Sequence, residues 1–163
     1  MYGPLPVPGR PWPRCKTSRH TGQPARVASP RGAGPKRIAN AVEDLIRNVV
    51  SDGDRKLKEV RAVGIGAPGI VDPGGRRILT APNIDLAGFP LADRLEKRLG
   101  APVALGNDVN LGVLGEQWLG AGKGVEDVVG LFPGTGVGGG VIVHGRPLLG
   151  APGAAAELGH VIV

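Results

Sequence analysis

Cysteine occurs once in 163 residues, at position 15, so no internal disulfide can form. That fits a reducing compartment, and a cytoplasmic protein is expected. Aromatic residues make up only 3% of the chain, so a core has to be built from Val, Leu, Ile and Ala. No run of about 18 apolar residues exists, which leaves no helical segment to span a membrane. Residues 1–20 lack the apolar stretch of a secretory leader. Acidic residues are absent from the first 37 positions altogether.

That last absence explains the net charge. Residues 1–37 carry eight Lys/Arg and no Asp or Glu, whereas residues 38–163 carry twelve Lys/Arg against all fourteen acids. The charge of +6 therefore belongs to a tail, and the remainder is slightly acidic. A basic tail can attract nucleic acid through its phosphates. It has no helical pattern with which to read bases, so a solvated, disordered segment is expected and no nucleic-acid partner. Eight of the sixteen prolines also fall there.

What the chain has in abundance is glycine, 29 residues, and a regular alternation of apolar segments with turns. Ile38, Val42, Leu45, Ile46, Val49 and Val50 share a helical face, ended by Asp52-Gly53-Asp54. Val60 to Ala67 reads as a buried strand closed by Pro68-Gly69, and Arg77 to Thr80 as a short strand after the Asp72-Pro73-Gly74-Gly75 turn. Pro90 starts a helix with Leu91, Leu95 and Leu99 on one face and Gly100 as its C-cap. A strand from Pro102 to Leu105 leads to a helix over 109–119, with Leu111, Leu114 and Trp118 inward. Val128 to Phe132 enters a glycine-rich turn, Val141 to Val143 leaves it, and His144-Gly145 turns again. The alternation predicts an α/β architecture.

Three groups of residues carry possible chemistry. Asn107-Asp108 stands between a strand and a helix, where open α/β sheets often place functional side chains. Asp108 can act as a general base toward a hydroxyl, and both residues are equally favoured N-caps. Gly134-Thr135-Gly136, opening the run to Gly140, suits a hairpin tip that offers backbone N–H groups and a hydroxyl to a phosphate. A tight hairpin using glycine for positive φ explains it as well. Glu157 and His160, three apart, share a face if helical and can hold sugar hydroxyls or a metal. No cysteine pair accompanies them, so the residues by themselves do not make a zinc site. Asn83 in its loop is a weaker candidate for a polar contact.

Taken in order, Gly64-Ile65-Gly66-Ala67-Pro68-Gly69, Ala81-Pro82-Asn83, Asn107-Asp108-Val109-Asn110, Gly115-Glu116, the run Gly134 to Gly140 and Glu157-Leu158-Gly159-His160 resemble the ROK family (repressors, uncharacterised frames and sugar kinases) from about Val60 onward. The likeness is to its glucokinase-like members. It implies an actin-like ATPase (ribonuclease H-like) fold, incomplete, in two partial domains. Residues 1–37 would be a tail, 38–120 a partial N-terminal domain with the sugar residues, and 121–163 the start of a C-terminal domain with a phosphate loop.

The resemblance also implies ATP-dependent phosphorylation of a hexose, usually at O6. Asp108 would be the base. Gly69, Asn83, Asn107, Glu157 and His160 would line or hold the sugar, and Gly134, Thr135 and Gly136 would face ATP with its Mg²⁺. His160 would be a zinc ligand in relatives that carry a Cys-rich loop, which this sequence does not contain. The family's first phosphate turn, Asp-x-Gly-Gly-Thr, is also absent, so a chain truncated at both ends and impaired in activity is expected. Homo-oligomers are usual in the family. The alternative is a non-catalytic sugar-binding regulator.

Overall fold

A proline at its start and a glycine at its end bracket the first helix of the computed structural model, which describes residue 32 and residues 34–81, 83–134 and 136–159, and His160 for its backbone only. Helix α1 runs Pro35–Asp52 with Gly53 as C-cap. It begins three residues before the expected limit of the tail, because proline fits the first turn of a helix. Apart from residues 32 and 34, the rest of that tail lies outside the described residues. Ile38 and Ala39 are buried, with Val42 and Ile46 packed beside them. Val49, expected on the same face, is exposed. The neighbouring helix α2, Leu91–Leu99, has nine residues against eighteen in α1, so it cannot cover the whole face.

Strands β1, Val63–Ala67, and β4, Val103–Asn107, pair in parallel from Val63↔Val103 to Ala67↔Asn107. β1 starts later than expected because Leu57–Glu59 forms a 3-10 turn, closed by the Lys56 N–H donating to Glu59 at 2.7 Å. β2, Ile70–Val71, and β3, Ile78–Thr80, are antiparallel. The turn between them is organised by the Asp72 carboxylate, which accepts the N–H groups of Gly74, Arg76 and Arg77 at 3.2, 2.7 and 2.6 Å. Ile78, Leu91, Leu95 and Val103 are the fully buried centre of this half. Burying each such side chain contributes about 1.5–3 kcal/mol. The leucine spacing behaves as anticipated, and Gly100 ends α2 in the left-handed conformation at φ 69°.

Two charge networks brace α2. Glu43 of α1 is only 3% exposed, yet it accepts from Arg47 at 2.9 Å and from Arg98. Burial pushes its carboxyl up, and the hydrogen bonds and charges of Arg98 and Arg47 outweigh that and hold it below the usual range. Arg76 bonds Glu96 through both terminal nitrogens, at 3.0 and 2.6 Å, and also Asp93 and the Val103 carbonyl. The hydrogen bond from Arg76 lowers the Glu96 pKa against the opposing effect of burial, helped by the Val103 N–H at 2.8 Å. The hydrogen bonds from Arg76 to Glu96 and Asp93 raise the pKa of its guanidinium in turn.

Helix α3, Asp108–Leu119, leads to an antiparallel sheet of β5, Val128–Pro133, β6, Val137–Val143, and β7, Arg146–Pro147. β6 starts at Val137, not Val141, so most of the glycine run is strand. The reason is close packing: a Cβ at Gly138 would lie 2.5 Å from Val109 Cγ2, and one at Gly140 would lie 2.7 Å from Val113 Cγ2. Val113, rather than Leu111, Leu114 or Trp118, is the fully buried residue of α3. The helix packs on two sides. Leu111 covers Gly106 of β4, while Val109 and Val113 cover β6. The hairpin turn between β6 and β7 has His144 and Gly145 at φ 51° and 72°, as a two-residue type I′ turn requires.

Candidate functional site

The end of β4 and the start of α3 place the first pair. Asn107 is the N-cap: its Oδ1 accepts the Asn110 N–H at 3.0 Å. Its Nδ2 donates to the Gly69 carbonyl, also at 3.0 Å. One side chain thus ends a strand, starts a helix and ties both to the β1–β2 turn. With capping assigned to Asn107, Asp108 is the first helical residue and is exposed, its Oδ1 accepting only the neighbouring Val109 N–H at 3.0 Å among the described residues. A negative charge there faces the positive end of the helix dipole. Of the two candidate caps, Asn107 is the one used, and the Asp108 carboxylate takes no part in the cap.

Gly69 has φ 95°, and a Cβ on it would run into the Thr80 carbonyl oxygen at the end of β3. That close approach brings β3 beside the turn that Asn107 holds. Asn83 follows three residues later, exposed in a turn, with no hydrogen bond to the other candidates among the described residues. Gly66, near the end of β1, comes against Asp108: its Cβ would be 3.5 Å from the Asp108 Cα. Gly69, Asn107 and Asp108 are therefore gathered at one end of the β1–β4 pair.

The glycine turn joins β5 to β6. The Gly134 N–H donates to the Gly136 carbonyl at 2.7 Å, so this donor is engaged within the turn and is not offered outward as expected. A two-strand connection this short closes on itself. Space around Gly134 and Gly136 is open, with nothing within 4 Å of a Cβ built on either. Thr135 lies outside the described residues.

Glu157 is exposed and leads into a 3-10 turn at Leu158–His160. Such a turn repeats every three residues, which suits the 157/160 spacing. The His160 side chain lies outside the described residues. Among the described residues no group of three His, Cys, Asp or Glu could hold a metal. The segment carrying Glu157 lies against β6, where a Cβ at Gly139 would sit 2.5 Å from the Ala156 carbonyl oxygen. Sequence reasoning gave Gly153 no role, read Gly139 as part of the glycine-rich turn and named Gly159 only as a member of the Glu157–His160 motif.

A profile of the ROK family matches residues 21–163. The chain belongs to the ROK family. The match begins well before Val60, where the motifs start. A glucokinase of Thermotoga maritima is 47% identical over 133 residues, covering 77% of this chain and 41% of the relative. A xylose repressor of Caldicellulosiruptor bescii is 33% identical, covering 81% of this chain and 33% of the repressor. Among solved structures, a ROK family glucokinase from Streptomyces griseus in complex with glucose and AMPPNP is 41% identical with a TM-score of 0.73, over 84% of this chain and 42% of that one. This ROK chain thus spans about two fifths of the length of the kinases it matches. Its fold is α/β, of the actin-like ATPase type and partial. No helix among the described residues is long and apolar enough to cross a membrane.

Proposed function

We propose that this ROK chain carries the sugar-accepting side of an ATP-dependent hexose kinase, glucokinase-like and acting at O6. The observation that carries the reading is the Asn107–Gly69 hydrogen bond beside an exposed Asp108 at a strand-to-helix junction. It fixes one carboxylate without consuming it in the fold. Asp108 takes the proton from the sugar hydroxyl as the hydroxyl oxygen bonds to the γ-phosphorus of ATP and the bond from that phosphorus to the departing ADP oxygen breaks. Asn107, Glu157 and His160 hold neighbouring hydroxyls, with Gly69 and Asn83 lining the approach.

Catalysis of this kind depends on positioning and electrostatics more than on covalent chemistry. Open space at Gly134 and Gly136 fits phosphate oxygens, and Gly134-Thr135-Gly136 would face the nucleotide. ATP with Mg²⁺ supplies the phosphoryl group when bound. Among the described residues no ligand set for zinc converges.

The likeness to a xylose repressor favours one second reading, a sugar-binding regulator without turnover. ADP release coupled to a panel of hexoses separates the two. Glucose-dependent release supports the kinase; calorimetric binding of a hexose with no release supports the regulator.

A further inference from the structure

We infer that Gly153 and Gly159 are positioning residues that pin the segment Gly150–His160, as a strap, onto backbone carbonyls of both halves of the molecule and so set where Glu157 stands. The inference rests on the reading of Glu157 as a sugar contact. Gly153 is buried, with φ 78°, and a Cβ on it would run into the carbonyl oxygen of Val71 in β2. Gly159 lies so close to Val137 in β6 that a Cβ would strike its carbonyl oxygen. Between these pins, the Ala156 carbonyl and the Leu158 side chain rest on Gly139 of β6, where a Cβ would meet them at 2.5 and 2.6 Å.

The strap therefore reaches from one sheet to the other. Its own bonds are few: Ala155 N–H to Leu149 at 2.9 Å, Gly153 N–H to Gly150 at 3.3 Å and Leu158 N–H to Ala156 at 2.7 Å. These short-range bonds, those found among the described residues, do not fix its course over the two sheets. The absence of side chains at Gly153 and Gly159 does, because it lets backbone lie on the Val71 and Val137 carbonyls.

The first pin also connects the strap to the other sugar residues. Gly69, Ile70 and Val71 are consecutive. The Asn107 side chain holds the carbonyl of Gly69 at 3.0 Å, and Gly153 lies on the carbonyl of Val71. This short stretch is thus shared by the residues that place Asn107 and those that place Glu157. Lifting the strap off Val71 would shift Glu157 relative to the turn that Asn107 holds, without touching either side chain.

The test uses the whole chain with Gly153→Ala, Gly159→Ala and, as a control on open helix surface, Gly115→Ala, where a Cβ meets nothing within 4 Å. Amide exchange and glucose titration are read on each. Expected are faster exchange across 150–160 with β4 protection intact, and a glucose Kd raised about tenfold or more in both strap variants, the scale on which small misplacements are felt. The control should match wild type. In a Glu157→Ala background the penalty of Gly153→Ala should shrink, which a purely structural role would not produce.

Unchanged strap exchange, or faster exchange with unchanged glucose Kd, overturns the inference. A wild-type chain that binds no hexose sinks the sugar-site reading instead, and the exchange arm alone then decides the pinning. If neither strap variant folds, wild-type protection of the Ala155 and Leu158 amides decides: protection equal to β6 supports the strap, unprotected exchange refutes it.

Discussion

The half built on α1, α2 and β1–β4 and the half built on β5–β7 solve the packing problem in opposite ways. The first fills space with side chains: Ile78, Leu91, Leu95 and Val103 are all but inaccessible to solvent. The second removes side chains. Gly130, Gly138 and Gly140 let α3 settle onto the sheet, where Val113 and Ile142 are its fully buried residues. On the far face, Val129 and Leu131 remain 66% and 59% exposed, with Val137 beside them. The first half closes around its own core, and the second takes much of its core from a helix that starts at Asp108, beside the proposed sugar site. Disturbance of α3 should therefore be felt at both the site and the glycine hairpin.

The sharpest way to break the contrast is Leu95→Ala. Emptying the centre of the first half should cost about 2–5 kcal/mol and lower a denaturant midpoint for the whole molecule. Gly130→Ala attacks the second half, since its Cβ would run into Val113 Cγ2. It should cost about 1–3 kcal/mol, with exchange rising in β5 and β6 before β1 and β4. Adding Val113→Ala should restore part of that loss, as contacting residues couple.

Glu43→Gln removes a buried charge facing two arginines whose side chains are 40% and 52% exposed. Solvent around those arginines reduces the effect to about 1–3 kcal/mol. The same group gives the first half an acid sensitivity. Glu43 and Glu96 both titrate below their usual 4.5, so on acidification the unfolded chain takes up these protons first. Their contribution is whole above about pH 4.5 and is lost as pH falls through the lowered values. Chemical melts between neutral and acid pH should show that decline, and it should be shallower in Glu43→Gln.

The smallest effect is a gain. Ala156 has φ 65°, a region costly for any residue with a Cβ, so Ala156→Gly should add up to about 1 kcal/mol, visible as a slightly higher melting temperature.

The contrast also explains what could be read from sequence. Leu91, Leu95 and Leu99 announced their helix because side-chain volume leaves a periodic trace. Asn107 at a strand-to-helix boundary announced a cap for the same local reason. Glu43 gave no sign of its burial, because the partner that makes burial tolerable, Arg98, is 55 residues away. Gly138 to Gly140 read as turn, since glycine carries no pattern that distinguishes a strand pressed against a helix from a loop. The strap was invisible for that reason too: its contacts are made by backbone, at Val71 and Val137, and no side chain marks them.

The central claim is that Asp108 is the base at a hexose site scaffolded by Asn107 and Gly69. The most direct measurement is glucose-dependent ADP release by the wild-type chain and by Asp108→Asn, with melting curves on both. The account predicts release in the wild type and a fall of about 10²-fold or more in the variant at unchanged stability. Release at the wild-type rate from Asp108→Asn, or none above the sugar-free background from the wild type, would contradict it.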